Sequence, residues 1–225
     1  MPRFPFTREI IGEAGCKPGA CIANARGVPG TVGFLALTRH DRRVVIVTSH
    51  HVLFGSGARE KDAVWLIGEM TTPIGQTGYG RVGSVRFDAT EVFVDCAVAL
   101  LDDDVTASRV VKAETKTSVA TVLALGAKVH KTGAATGRTE GIVIDTDYTE
   151  RAFVDGVAQA ARGQIQVRSR TSGGFSTDGD SGAALRNEGG ELVGLLWGVT
   201  PRGDSVVCPI APVLYVLNAS PISLL

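Results

Sequence analysis

The feature that most limits how this sequence can fold is its rhythm. From Gly27 onward, short runs rich in β-branched and aliphatic residues follow one another, and each is cut by a charged or glycine-containing turn. Residues 32–38 and 44–48 are two such runs around the charged turn Arg39-His40-Asp41-Arg42-Arg43, the pattern of a hairpin in which His40 is solvated. Residues 63–67, 81–87 and 92–101 follow, then 119–125, 142–148, 163–168 and 192–198. The stretch 81–87 alternates polar and apolar with period two, which marks a half-exposed strand, whereas 192–198 is continuously apolar and reads as a buried one. Helix signal is confined to residues 212–217, which fit a short helix or a last strand. The chain is therefore expected to be all-β. Residues 105–118 show little periodicity and lie after a like-charged run, Asp102-Asp103-Asp104, that must face water. They are expected to link a first half, 27–104, to a second, 119–225, behind an N-terminal extension, 1–26. Two β halves of this size fit two barrels side by side.

Composition excludes several functions. The 225 residues carry 23 Lys and Arg against 23 Asp and Glu, a formal net charge of zero. That argues against an electrostatic grip on nucleic acid or on an anionic membrane. No apolar run approaches the roughly 20 residues of a membrane span, and the first nine residues lack the apolar core of a secretion signal. A cytoplasmic location is the resulting expectation. Cys16 and Cys21 can close a small loop in an oxidising compartment, while a cytoplasmic protein keeps them reduced. No second closely spaced ligand pair accompanies them, so no zinc site and no other metal is expected. Cys96 and Cys208 lie in or beside apolar runs and read as small buried hydrophobes. Asp147, Asp155 and Asp178 read as turn residues.

Three stretches carry chemistry. In Asp178-Gly179-Asp180-Ser181-Gly182, a serine stands between an acid and a glycine with a second glycine two residues earlier. Gly179 lets the backbone turn its N–H inward beside that of Ser181, and two convergent N–H groups next to a hydroxyl make an oxyanion hole. A plain surface turn uses the same residue types, but the apolar run 192–198 soon afterwards holds this turn against a core. In Thr48-Ser49-His50-His51-Val52, a β-branched run ends in two adjacent histidines. In Val94-Asp95-Cys96-Ala97-Val98, one acid lies inside an apolar strand, where it is costly unless hydrogen-bonded. A histidine N–H suits it.

The order histidine, aspartate, serine is that of the chymotrypsin-type triad, and the motifs resemble those of trypsin-like serine peptidases. Thr48-x-x-His51-Val52 resembles their histidine motif, Asp95-Cys96-Ala97-Val98 their acid motif, and Gly179-Asp180-Ser181-Gly182 their serine motif. Lys131-Thr132-Gly133-Ala134-Ala135-Thr136-Gly137-Arg138-Thr139-Glu140-Gly141 resembles the start of the second barrel in bacterial members. Pro29-Gly30-Thr31-Val32-Gly33, Phe175-Ser176 and Cys208-Pro209-Ile210 resemble the narrow-leaf-type peptidases of plants and bacteria. The resemblance spans about residues 28 to 217. It implies two six-stranded antiparallel barrels with the site in the cleft between them, and a C-terminal helix.

It also implies a serine endopeptidase needing no cofactor and acting on polypeptide. His51 is the base, Asp95 its orienter and Ser181 the nucleophile. Gly179 and Ser181 form the oxyanion hole, and Phe175, Trp197 and Gly198 meet the substrate. Phe175 at the expected pocket base, in place of an acid, points to a small or apolar side chain rather than Lys or Arg. Asp180 is expected to find an internal partner, so that the uncleaved chain is competent; Arg8-Glu9-Ile10-Ile11-Gly12 is a poor processing point because Glu9 interrupts it. His51 rather than His50 is expected to be the base, with activity rising through a pKa near about 6.5. The rivals are a protease-like binding or scaffold domain with a silent site, and an esterase using the same triad.

Overall fold

A computed structural model describes residues 16–68, 73–102, 115–120 and 122–223. The strands of the first half are β1 (Cys21–Asn24), β2 (Pro29–Thr31), β3 (Phe34–Thr38), β4 (Val44–Thr48), β5 (Ala63–Leu66), β6 (Gly75–Phe87) and β7 (Thr90–Leu101). Then come β8 (Thr115–Lys116), β9 (Lys128–Gly133), β10 (Gly137–Val154), β11 (Val157–Ser169), β12 (Ala184–Asn187), β13 (Leu192–Val199), β14 (Ser205–Pro209) and β15 (Ala219–Ser223). Among the described residues there are also two short α-helices, α1 (His50–Phe54) and α2 (Ile210–Leu217), and a 3-10 turn at Gly55–Gly57.

The strands form two antiparallel units. One is a closed six-stranded barrel in the order β10-β11-β14-β13-β12-β9. The other is a nine-stranded sheet in the order β2-β1-β5-β6-β7-β4-β3-β15-β8. It exceeds the expected six strands by three, one of which is β8, placed by sequence in the linker, which pairs with β15. Cys21–Asn24, placed by sequence in the N-terminal extension, pairs with β2 and β5. Ala219–Ser223, placed in the second half, crosses back to pair with β3. Residues 212–217 are helical, within α2. The strand expected over 119–125 is not formed: Val119 makes an isolated bridge to Leu192, and Val122 and Leu125 are exposed. Most of the expected linker, with Asp103 and Asp104, lies outside the described residues.

The central strands of the first unit are apolar on both faces because each face has its own core. Along β3, Leu35 points into the interior of the first unit while Phe34 and Ala36 face the second. Ile46 and its neighbours Val45 and Val47 divide the same way on β4, as do Ala97, Ala99 and Leu101 against Val94, Cys96 and Val98 on β7. The outward set meets Ala184, Leu192, Leu195, Cys208, Ile210, Val213 and Leu217 of the second half. One strand therefore fills a barrel and cements the two units together, which is why it reads as a continuous apolar run rather than as an alternation.

The strands expected over 142–148 and 163–168 are parts of one long hairpin, β10 and β11. It turns at Asp155-Gly156, both with positive φ, as a tight two-residue hairpin turn requires. Its outer half packs Ala152, Val154 and Ala161 against Val82 and Phe93 of the first unit and against Trp197.

Because both faces of β3 are buried, neighbouring substitutions on it should both be severe. Leu35→Ala is expected to cost about 2–5 kcal/mol and Phe34→Ala about 3–5 kcal/mol, measured by urea unfolding. A one-faced strand would leave one of the two near neutral.

Candidate active site

The histidine stretch is a helical turn rather than an irregular one. β4 ends at Thr48, and α1 begins at once with His50 and His51. In a helix adjacent side chains are separated by about 100°, so the two rings part company. His50 stacks on Phe54, four residues on, with centroids 4.4 Å apart. The His51 ring turns the other way, and its Nδ1 lies 2.6 Å from Asp95 Oδ2. The His51 backbone N–H donates to Asp95 Oδ1 at 3.1 Å. The acid thus grips both the ring and the backbone of one residue.

Asp95 is 3% exposed, and the His51 side chain 40%. Burial pushes the His51 pKa down, but the charge of Asp95 and its hydrogen bond outweigh that, and the net shift is upward. The sequence-based expectation of a near-reference value is therefore revised upward. His50 goes the other way: burial lowers its pKa, and neighbouring Asp95 and Asp155 do not restore it.

The serine turn is held by a second, wholly buried charge. Asp180 has no exposed side-chain surface, and neither has its partner Lys131, whose Nζ lies 3.0 Å from Asp180 Oδ2. The same oxygen accepts from Thr136 Oγ1 at 2.7 Å and from the Thr177 N–H at 3.1 Å. Oδ1 accepts from the N–H groups of Ala135 and Thr136 at 2.9 and 3.1 Å. Lys131 also bonds the Thr136 hydroxyl and the Gly137 carbonyl. Burial pulls the Lys131 pKa down while the adjacent carboxylate resists. Gly133 makes room for this arrangement, since a Cβ there would lie 2.2 Å from Asp180 Oδ1. Asp180 does find its partner internally, and the stretch from Lys131 to Gly137 is the cradle that supplies it. Residues 8–12 lie outside the described residues.

The backbone of the serine turn is partly used. The Asp180 N–H donates to Thr177, that of Gly182 to Leu196 and that of Ala183 to Asp180. Among the described residues, the N–H groups of Asp178, Gly179 and Ser181 in this run find no acceptor, and those of Gly179 and Ser181 flank Asp180. Gly179 sits at φ +96°, a conformation that favours glycine, and its carbonyl is pinned by Thr31 Oγ1 at 2.9 Å. Two neighbouring unpaired donors held on a rigid turn can stabilise developing negative charge.

Shared contacts tie the serine turn to the histidine turn. Thr31 N–H donates to the Ser181 carbonyl, and Thr48 Oγ1 donates to the Thr31 carbonyl at 2.8 Å. Leu196 O accepts both from Ser49 Oγ, at 2.9 Å, and from Gly182 N–H. Ser181 is partly exposed, and its hydroxyl makes no hydrogen bond among the described residues.

The other expected site residues divide. Trp197 is half-buried; its Nε1 donates to Gln164 Oε1 at 2.7 Å and its ring rests against Phe93. Gly198 faces open space where a side chain would be. Phe175 is different: it is fully buried in the core of the second barrel, with the Lys131 ammonium 5.9 Å from its ring centroid. A residue with no accessible surface offers no direct contact to a substrate, so the expected pocket base belongs to the core. Its neighbour Ser176 bonds Ser205, Oγ to Oγ, at 2.5 Å. Sequence reasoning missed the roles of Thr31, Thr48, Ser49 and Lys131. The last had a signal, a lysine within the second-barrel motif at an otherwise apolar position. No group of three or more potential metal-ligating residues occurs among the described residues.

Lys131→Met leaves a buried carboxylate without its counter-charge and should cost about 3–5 kcal/mol. The double variant Lys131→Met/Asp180→Asn should cost less than the single one, because no net charge then remains buried. Urea unfolding of both proteins measures the difference.

No family model matches the chain, and no curated protein matches it in sequence. Solved structures do match. Thermobifida fusca protease A aligns over 92% of this chain and 98% of its own, with 17% identity and a TM-score of 0.64. A Nocardiopsis protease aligns over 92% and 99%, with 17% identity and a TM-score of 0.62. Cellulomonas bogoriensis chymotrypsin aligns over 92% and 97%, with 16% identity and a TM-score of 0.60. The chain therefore has the chymotrypsin-like double-barrel fold of the trypsin-like serine proteases.

Proposed function

We propose that the protein is a serine endopeptidase working through His51, Asp95 and Ser181. The observation that carries this reading is the pairing of His51 Nδ1 with a buried Asp95, across the cleft from a serine turn with two unpaired N–H groups. Asp95 holds the proton on Nδ1 and leaves Nε2 as the base. His51 takes the Ser181 proton as Oγ attacks the peptide carbonyl, and the oxyanion forms between the N–H groups of Gly179 and Ser181. The imidazolium then protonates the departing amine, and an ester to Ser181 remains. A water, deprotonated by the same nitrogen, attacks that ester and releases the acid. No His51–Ser181 hydrogen bond occurs among the described residues; such contacts commonly tighten only with substrate bound.

Trp197 and Gly198 supply an open strand edge for the substrate backbone. The preference we assign is for a small or apolar side chain. The buried acids of the second barrel among the described residues, Asp180 and Asp204, are already engaged, the latter by Arg168 and Gln166. Neither is free to receive a Lys or Arg. A peptide library tests this, and a dominant Arg preference would contradict it.

Kinetics on paired variants test the mechanism. His51→Ala should lose on the order of 10⁶-fold in kcat, by analogy with knockouts of triad histidines, and His50→Ala far less. Because catalysis needs neutral His51 and its pKa is raised, activity should climb with pH through a midpoint above about 6.5. Folding linkage has the opposite sign. The His51–Asp95 pair adds its stability below about 6.5, and loses it as pH rises through the folded-state value. A pH–rate profile with its acid limb below 6.5 would contradict the assignment of His51.

A further inference from the structure

Among the polar interactions at the contact between the two units is one, at Asp95, that catalysis as described does not use. β4 stops pairing with β7 at Thr48 opposite Ala97, so Asp95 lies two residues past the last β4 partner. The Asp95 backbone N–H is buried there and cannot reach water. It donates instead to the Sγ of Cys208, 3.3 Å away. Cys208 lies on β14 of the closed barrel and is fully buried. It is thus a link from the barrel carrying Ser181 to the backbone of the acid that orients His51.

The link matters because, among the described residues, no other group of the second barrel hydrogen-bonds Asp95. Among the described residues its carboxylate accepts hydrogen bonds only from His51, one on each oxygen. The side chain therefore follows the histidine, and among the described residues only the backbone N–H hydrogen-bonds Asp95 to the opposite barrel. We propose that Cys208 is a positioning residue: its sulfur fixes the Asp95 backbone against the barrel that bears Ser181, and so sets how the acid meets His51.

A thiol suits the position. It accepts a hydrogen bond while packing as a small apolar side chain among Phe34, Val47, Val94 and Leu195. Burial first, then the nearby Asp95 and Cys96, hold its pKa well above the ordinary range, so it adds no charge beside the acid. The titratable groups around Asp95 are His50 and His51 from α1, Cys96 from its own strand and Cys208 from β14.

The role of Cys208 rests on the triad reading, and its test is chosen to be independent of turnover. The His51 imidazole is titrated by NMR in the full chain, in Cys208→Val, which keeps bulk but removes the acceptor, and in Cys208→Ser, which keeps an acceptor. Wild type and the serine variant should titrate above about 6.5, and the valine variant should move down toward that value. On peptide substrate the valine variant should lose on the order of 10- to 100-fold in kcat with KM unchanged, and the serine variant should recover most of it. If valine does not fold, Cys208→Ala is read the same way. A folded valine or alanine variant with the wild-type titration overturns the proposal. So does equal loss in the serine and valine variants, which would mark a packing role alone. A shifted titration in a protein that turns over no peptide would support the Cys208 assignment and count against the peptidase reading.

Discussion

The structure of the site depends on one desolvated charge. Asp180 is sealed from water, and a carboxylate in that position is tolerated only when its charge and its lone pairs are all met. One ammonium, one hydroxyl and three backbone N–H groups meet them. Satisfying Asp180 forces the serine turn into its shape, because the backbone on either side has no freedom left. It also anchors the start of the second barrel, since Lys131 lies on β9 and Ala135 and Thr136 lie on the segment joining β9 to β10. From there Thr31 extends the network to the first unit, accepting from the Ala134 N–H and donating to the Gly179 carbonyl. The unpaired donors of Gly179 and Ser181 are a consequence of this arrangement.

Around that charge the two units act as a single scaffold. The strands that shape the first one present their second face to the other, so the cleft walls share a core. His51 and Asp95 emerge at the end of β4 and in the body of β7, and Ser181 emerges on the turn before β12. His51 and Ser181 therefore sit where a strand has just left or is about to join the shared core, and Asp95 sits between two residues of that core. That rigidity is what a preorganised donor pair requires, because small displacements in such a site weaken it steeply.

Much of this was legible in the sequence where chemistry and pattern coincide. A lone acid in an apolar strand needs a partner, and Asp95 has one. Two adjacent histidines cannot both face one acid, and it is His51 that does. The second-barrel motif was recognisable, but its purpose was not: only the fold brings Lys131 to Asp180, 49 residues away. The all-β class followed from strand rhythm, while the assignments of β1, β8 and β15 to the first unit could not. β1 is too short, at four residues, to stand out in a polar N-terminal stretch. β15 contains a proline and pairs with a strand roughly 180 residues earlier, a non-local contact with no local signature. Phe175 was misplaced because its position before the serine says where it lies along the chain, not which way its ring points.

The account stands or falls on whether the Ser181 hydroxyl is activated in the intact chain. The most direct measurement is the intact mass of the full 225-residue protein after exposure to a fluorophosphonate, followed by peptide mapping. An activated serine predicts one adduct, on Ser181, formed without prior trimming of the chain and absent from Ser181→Ala. A folded, untrimmed protein that takes up no label would contradict it.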